Sequence, residues 1–177
     1  MAKTKLRKML GSAEHPTIRA LMDLISTQSR DTLSRWALEY VHAHYLPILI
    51  RKNRMDPRLA QAGEIAEKLL CKKLSLKEAK PFLQGASAAA REMEGDAAAQ
   101  AAAKAISTAY GVTQTPTNAL GFTFYGAAAF AYDTAGEEGN KELYDAFADE
   151  ELEKIFNSLH LAAVPDEKNP VKMDWHC

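Results

Sequence analysis

Residues 86–132 constrain the fold of this chain more than any other stretch, because they set two Ala-rich blocks beside an uncharged aromatic one. The first blocks run Ala86-Ser87-Ala88-Ala89-Ala90-Arg91 and Ala97-Ala98-Ala99-Gln100-Ala101-Ala102-Ala103-Lys104-Ala105. The third runs Leu120-Gly121-Phe122-Thr123-Phe124-Tyr125-Gly126-Ala127-Ala128-Ala129-Phe130-Ala131-Tyr132. Alanine is the best helix former because it loses no side-chain entropy and carries no bulk beyond Cβ. Helices with Ala faces approach closely, so this segment is expected to form the packed centre of a helical domain. Nothing in it is a nucleophile, a metal cage or a phosphate cradle.

The flanking sequence reads as further helices. Ile18, Leu21, Met22 and Ile25 form one stripe at helical spacing, and Leu33, Trp36, Ala37, Tyr40, Val41 and Tyr45 form a second on a helix from Asp31 to about Ile50. Pro47 should kink or end that helix, since proline removes a backbone donor and clashes one turn back. Pro57 suits the first turn of a helix reaching about Cys71. Ser75-Leu76-Lys77-Glu78 has the capping-box pattern, after which Pro81 is expected to start a fresh helix. Gly95-Asp96 marks the sharpest junction: glycine accepts a left-handed backbone and aspartate is a preferred N-cap. Thr117 or Asn118 caps the aromatic helix, which Gly136-Glu137-Glu138-Gly139 closes. A last helix, Lys141 to about Leu161, carries Leu143, Tyr144, Phe147, Leu152, Ile155, Phe156 and Leu159. No alternating strand pattern occurs. The expectation is an all-α single domain over residues 5–163, of about seven helices in antiparallel hairpins, followed by an extended or disordered tail over 164–177.

Composition excludes several classes. A chain of 177 residues can bury roughly 70% of its unfolded surface in one core. No uncharged run approaches the ~20 residues that span a bilayer, and the N-terminus lacks a secretory h-region. Two cysteines, Cys71 and Cys177, make no disulfide framework, so a cytoplasmic setting is expected.

The net charge of −1 hides a polarity. Residues 1–80 hold 16 Lys+Arg and 8 Asp+Glu, a net of +8, whereas residues 81–177 hold 6 and 15, a net of −9. Lys141 is the only basic residue between Glu137 and Glu153. Charge runs ordinarily solvate a helix face, but they also steer a charged partner.

Candidate chemistry is sparse. His42 and His44 stand two apart, on different sides of a helix, whereas a zinc pair needs a spacing of three or four. Glu39 with His42 has that spacing, for which a surface hydrogen bond is the simpler reading. His160 and His176-Cys177 lack further ligands. Gly121 and Gly126 follow no strand, so close helix packing explains them better than phosphate binding. Gln100, Lys104, Ser107 and Thr108 form a polar stripe. Arg91, Gln100, Asn118 and Asp133 stand in otherwise apolar helices and are expected to converge as a buried polar network, with Arg91 paired to Asp133. No metal or cofactor is expected.

Several of these blocks resemble the immunity-five-like family, bacterial immunity proteins of polymorphic toxin systems. The similarity rests on Ala88-Ala89-Ala90-Arg91-Glu92, the Ala97–Ile106 block, Thr115-Pro116-Thr117-Asn118, and Leu120-Gly121-Phe122 leading to Phe124-Tyr125-Gly126 and Tyr132-Asp133. Leu21-Met22, Thr27-Gln28-Ser29, Trp36-Ala37 and Tyr45-Leu46-Pro47-Ile48 agree as well, so the likeness spans most of residues 5–160. The chain departs at Lys104 and Asn118, where relatives tend to carry Arg and His. Some similar sequences carry an exonuclease label, which no acidic metal cluster or ATP motif here supports. The resemblance implies a cytoplasmic protein that binds and neutralises a cognate toxin without catalysis. Glu137, Glu138, Glu142, Asp145, Asp149, Glu150 and Glu153 are then the expected partner-binding face.

Two alternatives stand beside it. One is a small-molecule or metal-dependent enzyme built around Arg91 and Asp133. The other, ranked third, is a nucleic-acid binder using Lys3, Lys5, Arg7, Lys8 and the loop Arg51-Lys52-Asn53-Arg54. A homodimer is left open, and no membrane association is expected.

Overall fold

The computed structural model describes residues 5–175, in which eight helices and no strands occur. They are α1 (Pro16–Ile25), α2 (Arg30–His44), α3 (Leu46–Arg51), α4 (Pro57–Leu70), α5 (Leu76–Glu92), α6 (Ala97–Tyr110), α7 (Asn118–Ala135) and α8 (Lys141–Ala162). The fold is an all-α single domain, as the periodicity predicts. The expected count of about seven becomes eight because Leu46-Pro47 opens the short helix α3 immediately after α2.

Local chemistry sets most boundaries. The side chains of Ser29, Asp56, Asp96 and Asn140 each accept a backbone N–H from the first turn of the helix that follows, satisfying donors that the helix itself cannot. Ser75 and Glu78 complete a reciprocal capping box. Thr117 precedes α7 without a side-chain bond to it. Gly95 has φ +85° and Gly136 φ +73°, a backbone region that L side chains rarely adopt.

Pro81 departs from expectation, for it lies inside α5 and does not start a new helix. The bond it forgoes would have reached the carbonyl of Lys77, one turn earlier. Both Pro81 and Lys77 are exposed, so water can satisfy that carbonyl, and the capping box has already fixed the helix start.

The helix α6 is the hub. It packs most extensively on α7 and also touches α2, α3, α4 and α5. Ala98, Ala99, Ala101, Ala102, Ala103, Ala105, Ile106 and Ala109 are all buried. The helix meets water along Gln100, Lys104 and Thr108, which are half-buried and spaced four residues apart. That spacing returns to one face, so the polar stripe read from the sequence is the edge of the central helix. Around it, α2 buries Leu33, Trp36, Ala37, Tyr40 and Val41. The face of α8 toward the core carries Tyr144, Ala148, Glu151, Leu152, Ile155 and Leu159, whereas Leu143 is exposed.

Segments outside the helices are tied down. The Leu10 amide donates to the Phe124 carbonyl, and the Tyr132 hydroxyl to the Arg7 carbonyl. After α8 the chain returns across the α1–α2 junction. There Gln28 exchanges two hydrogen bonds with the backbone of Val164, and the Val171 amide donates to the Gln28 carbonyl. Val171, Met173 and Trp175 lie against the core. His176, Cys177 and Lys3 fall outside the described residues.

Candidate functional site

The acidic segment reaches the surface through the α7–α8 turn and α8. Glu137, Glu138, Glu142, Asp149, Glu150 and Glu153 are exposed, and Asp145 is half-buried. Part of this charge is compensated locally. Lys141 pairs with Asp145 and Lys154 with Glu150 at 2.9 Å, and the His15 ring nitrogen Nε2 lies 3.2 Å from Asp149. Glu137 accepts the Ala97 amide at 2.8 Å, at the start of α6. Exposed ion pairs of this kind add little stability, about 0–1 kcal/mol each. The cations are outnumbered, so the face keeps a negative field.

Glu151, in the middle of the same acidic run, faces inward. It is 2% exposed, and the hydroxyls of Tyr40 and Tyr45 donate to its Oε1 at 2.8 and 2.7 Å. Burial pushes this carboxyl above the usual carboxylate range, against the two tyrosine bonds and Lys154, which favour the ionised form. Burial likewise raises both phenols. Tyr45 reaches this position because α7 has glycine at 126: a Cβ there would stand 2.1 Å from the tyrosine hydroxyl. Close packing is therefore what Gly126 provides. Glu151 belongs to the acidic run by sequence, yet its spacing of three from Ala148 and four from Ile155 puts it on the apolar stripe of α8.

The expected network of Arg91, Gln100, Asn118 and Asp133 does not form. Asp133 is held by both guanidinium nitrogens of Arg51, each at 3.0 Å, and Arg91 is exposed. The geometry separates the four residues because Arg91 and Asn118 line one groove and Gln100 lines another. The first groove lies between α5 and α6 beside the turn into α7, and encloses about 750 Å³.

His42 and His44 serve packing. His42 Nε2 lies 2.7 Å from the Tyr110 hydroxyl, and burial holds its pKa below the ordinary value. The His44 ring lies against Tyr40, with a centroid separation of 4.3 Å. Among the described residues no three His, Cys, Asp or Glu side chains gather as metal ligands, and no helix is long and apolar enough to cross a membrane.

The loop between α3 and α4 is also committed internally. Arg51 holds Asp133, and Lys52 pairs with Asp96 at 2.9 Å. Two of the cations assigned to nucleic-acid binding are thus engaged with carboxylates.

Comparison with known proteins gives one family. The model described as "Imm-5 like putative immunity protein" matches residues 23–157. No curated protein and no solved structure matches the chain. The matched region runs from within α1 to within α8, and the chain belongs to this family.

Proposed function

We propose, from membership of that family, that the protein acts in the bacterial cytoplasm by binding a cognate toxin stoichiometrically and blocking it, without catalysing a reaction. The observation that supports a binding mode is the acidic face on α8 and the turn before it. It is carried by a helix whose opposite side is anchored by Leu152, Ile155 and Leu159, all fully buried. A rigid surface loses little conformational entropy on association, which favours tight binding.

Charge on such a face acts mainly on the rate of encounter. A basic toxin is the matching partner, and its chemistry is immaterial to this argument. Glu138, Glu142 and Glu153 are exposed and lie outside the ion pairs of the face, so changing them spares the local structure. Replacing all three with Lys should slow association with the proposed cognate toxin by about tenfold or more. It should also flatten the dependence of that rate on salt, as read by stopped-flow mixing across a salt series. Unchanged rates would remove the acidic face from the account.

A further inference from the structure

The groove between α5 and α6 has the properties of a ligand site that toxin binding leaves unused. Its walls present Gln84, Ser87 and Arg91 from α5, Ser107 and Thr108 from α6, and Asn118 from α7. No carboxylate lines it, although residues 81–177 hold 15 acidic side chains against 6 basic ones. Among the described residues, the side chains of Gln84, Ser87, Arg91, Thr108 and Asn118 make no hydrogen bond or ion pair. All five line the same groove.

Two glycines line that space. A Cβ at Gly85 would meet nothing within 4 Å, so the wall there is bare. At Gly111 a Cβ would stand 2.7 Å from the Asn118 amide nitrogen, so glycine allows that amide its place at the edge. Positive charge gathers at the Arg91 end. Lys104, which lines the neighbouring groove, has its pKa lowered by burial first, and then by repulsion from Lys8 and Arg91.

We propose that the groove binds a small phosphorylated, hydroxyl-rich molecule, with the Arg91 guanidinium on the phosphate and the amides and hydroxyls of Gln84, Thr108 and Asn118 on the hydroxyls. A planar guanidinium matches two phosphate oxygens at once. The volume falls within the range of small-molecule sites. No aromatic ring lines the groove, so a nucleobase finds no stacking platform, and a sugar phosphate fits the lining better than a nucleotide. This inference does not depend on the acidic face, and its test needs no toxin.

The test is calorimetric titration of the full chain with ribose 5-phosphate, inorganic phosphate and ribose. Arg91→Ala is compared with Arg35→Ala, an exposed arginine on α2; both side chains are exposed, and circular dichroism confirms folding. Saturable binding of ribose 5-phosphate, tighter than that of phosphate or ribose, is expected. Arg91→Ala should weaken it at least tenfold and Arg35→Ala should leave it unchanged. Absence of saturation by about 10 mM would overturn the proposal. So would equal affinity for inorganic phosphate, or an equal loss in both variants.

Discussion

The residue that most separates charge from surface in this protein is Glu151. A carboxyl buried beside two tyrosine hydroxyls has a folded-state pKa raised by desolvation. Below the ordinary value of about 4.3 it is protonated in folded and unfolded chains alike. As pH rises, the unfolded chain ionises first, so the favourable contribution of the protonated group is lost as pH passes through the folded pKa. Glutamine keeps an oxygen for both tyrosines and never ionises. Glu151→Gln should therefore match the parent near pH 4 and be the more stable of the two at pH 8. Glu151→Ala should be less stable at both, by roughly 1–3 kcal/mol, because it leaves two buried hydroxyls without an acceptor. Urea unfolding of the three proteins at the two pH values checks this, and a Gln variant weaker than the parent at pH 8 would refute the charge argument.

At the scale of elements, the returning C-terminal segment caps α2. The Ser29 amide donates to Glu167 Oε2 at 2.7 Å, the Ser29 hydroxyl to Oε1 at 2.7 Å, and the Thr32 hydroxyl also to Oε1. A carboxylate is favourable at a helix N-terminus, where unpaired amides and the helix dipole present positive charge. Burial opposes ionisation, but these bonds win and hold the Glu167 pKa below the ordinary value. Its contribution is present above the unfolded pKa and fades as pH falls through the folded one. Glu167→Ala should raise amide exchange at Ser29 and Val171 while exchange in α6 stays as it was, as followed by hydrogen exchange with NMR. Unaltered exchange at both sites would mean that the tail is held by its other contacts, the Gln28 bonds to Val164 and the packing of Val171, Met173 and Trp175, without Glu167.

Most element boundaries were legible because they are local. Caps at Ser75 and Asp96 need only the next turn, and helical spacing identified the buried faces of α1 and α2. Pro81 misled because its effect depends on whether the freed carbonyl faces water. The Arg91–Asp133 pair misled for another reason: which arginine reaches Asp133 depends on where the tertiary fold places the end of α3 relative to α7, which no local pattern encodes. Glu151 was hidden by its charged neighbours, although the α8 periodicity marks it as inward-facing. The groove was half legible, since the stripe on α6 stood out but its opposing wall on α5 did not.

For the whole molecule, the account joins a rigid Ala-packed scaffold to a face of excess negative charge. That combination serves a binder, whose effect is fixed by occupancy, better than a catalyst, whose effect is multiplied by turnover. Stoichiometry distinguishes the two most directly. A toxin that the protein is proposed to neutralise should be titrated with the purified protein at toxin concentrations far above the dissociation constant, and its residual activity followed over time. Activity falling linearly to zero at one equivalent, with no further change on standing, is the predicted result. Complete inactivation by a small fraction of an equivalent would show turnover, and undiminished activity at excess protein would show no neutralisation; either would contradict the account.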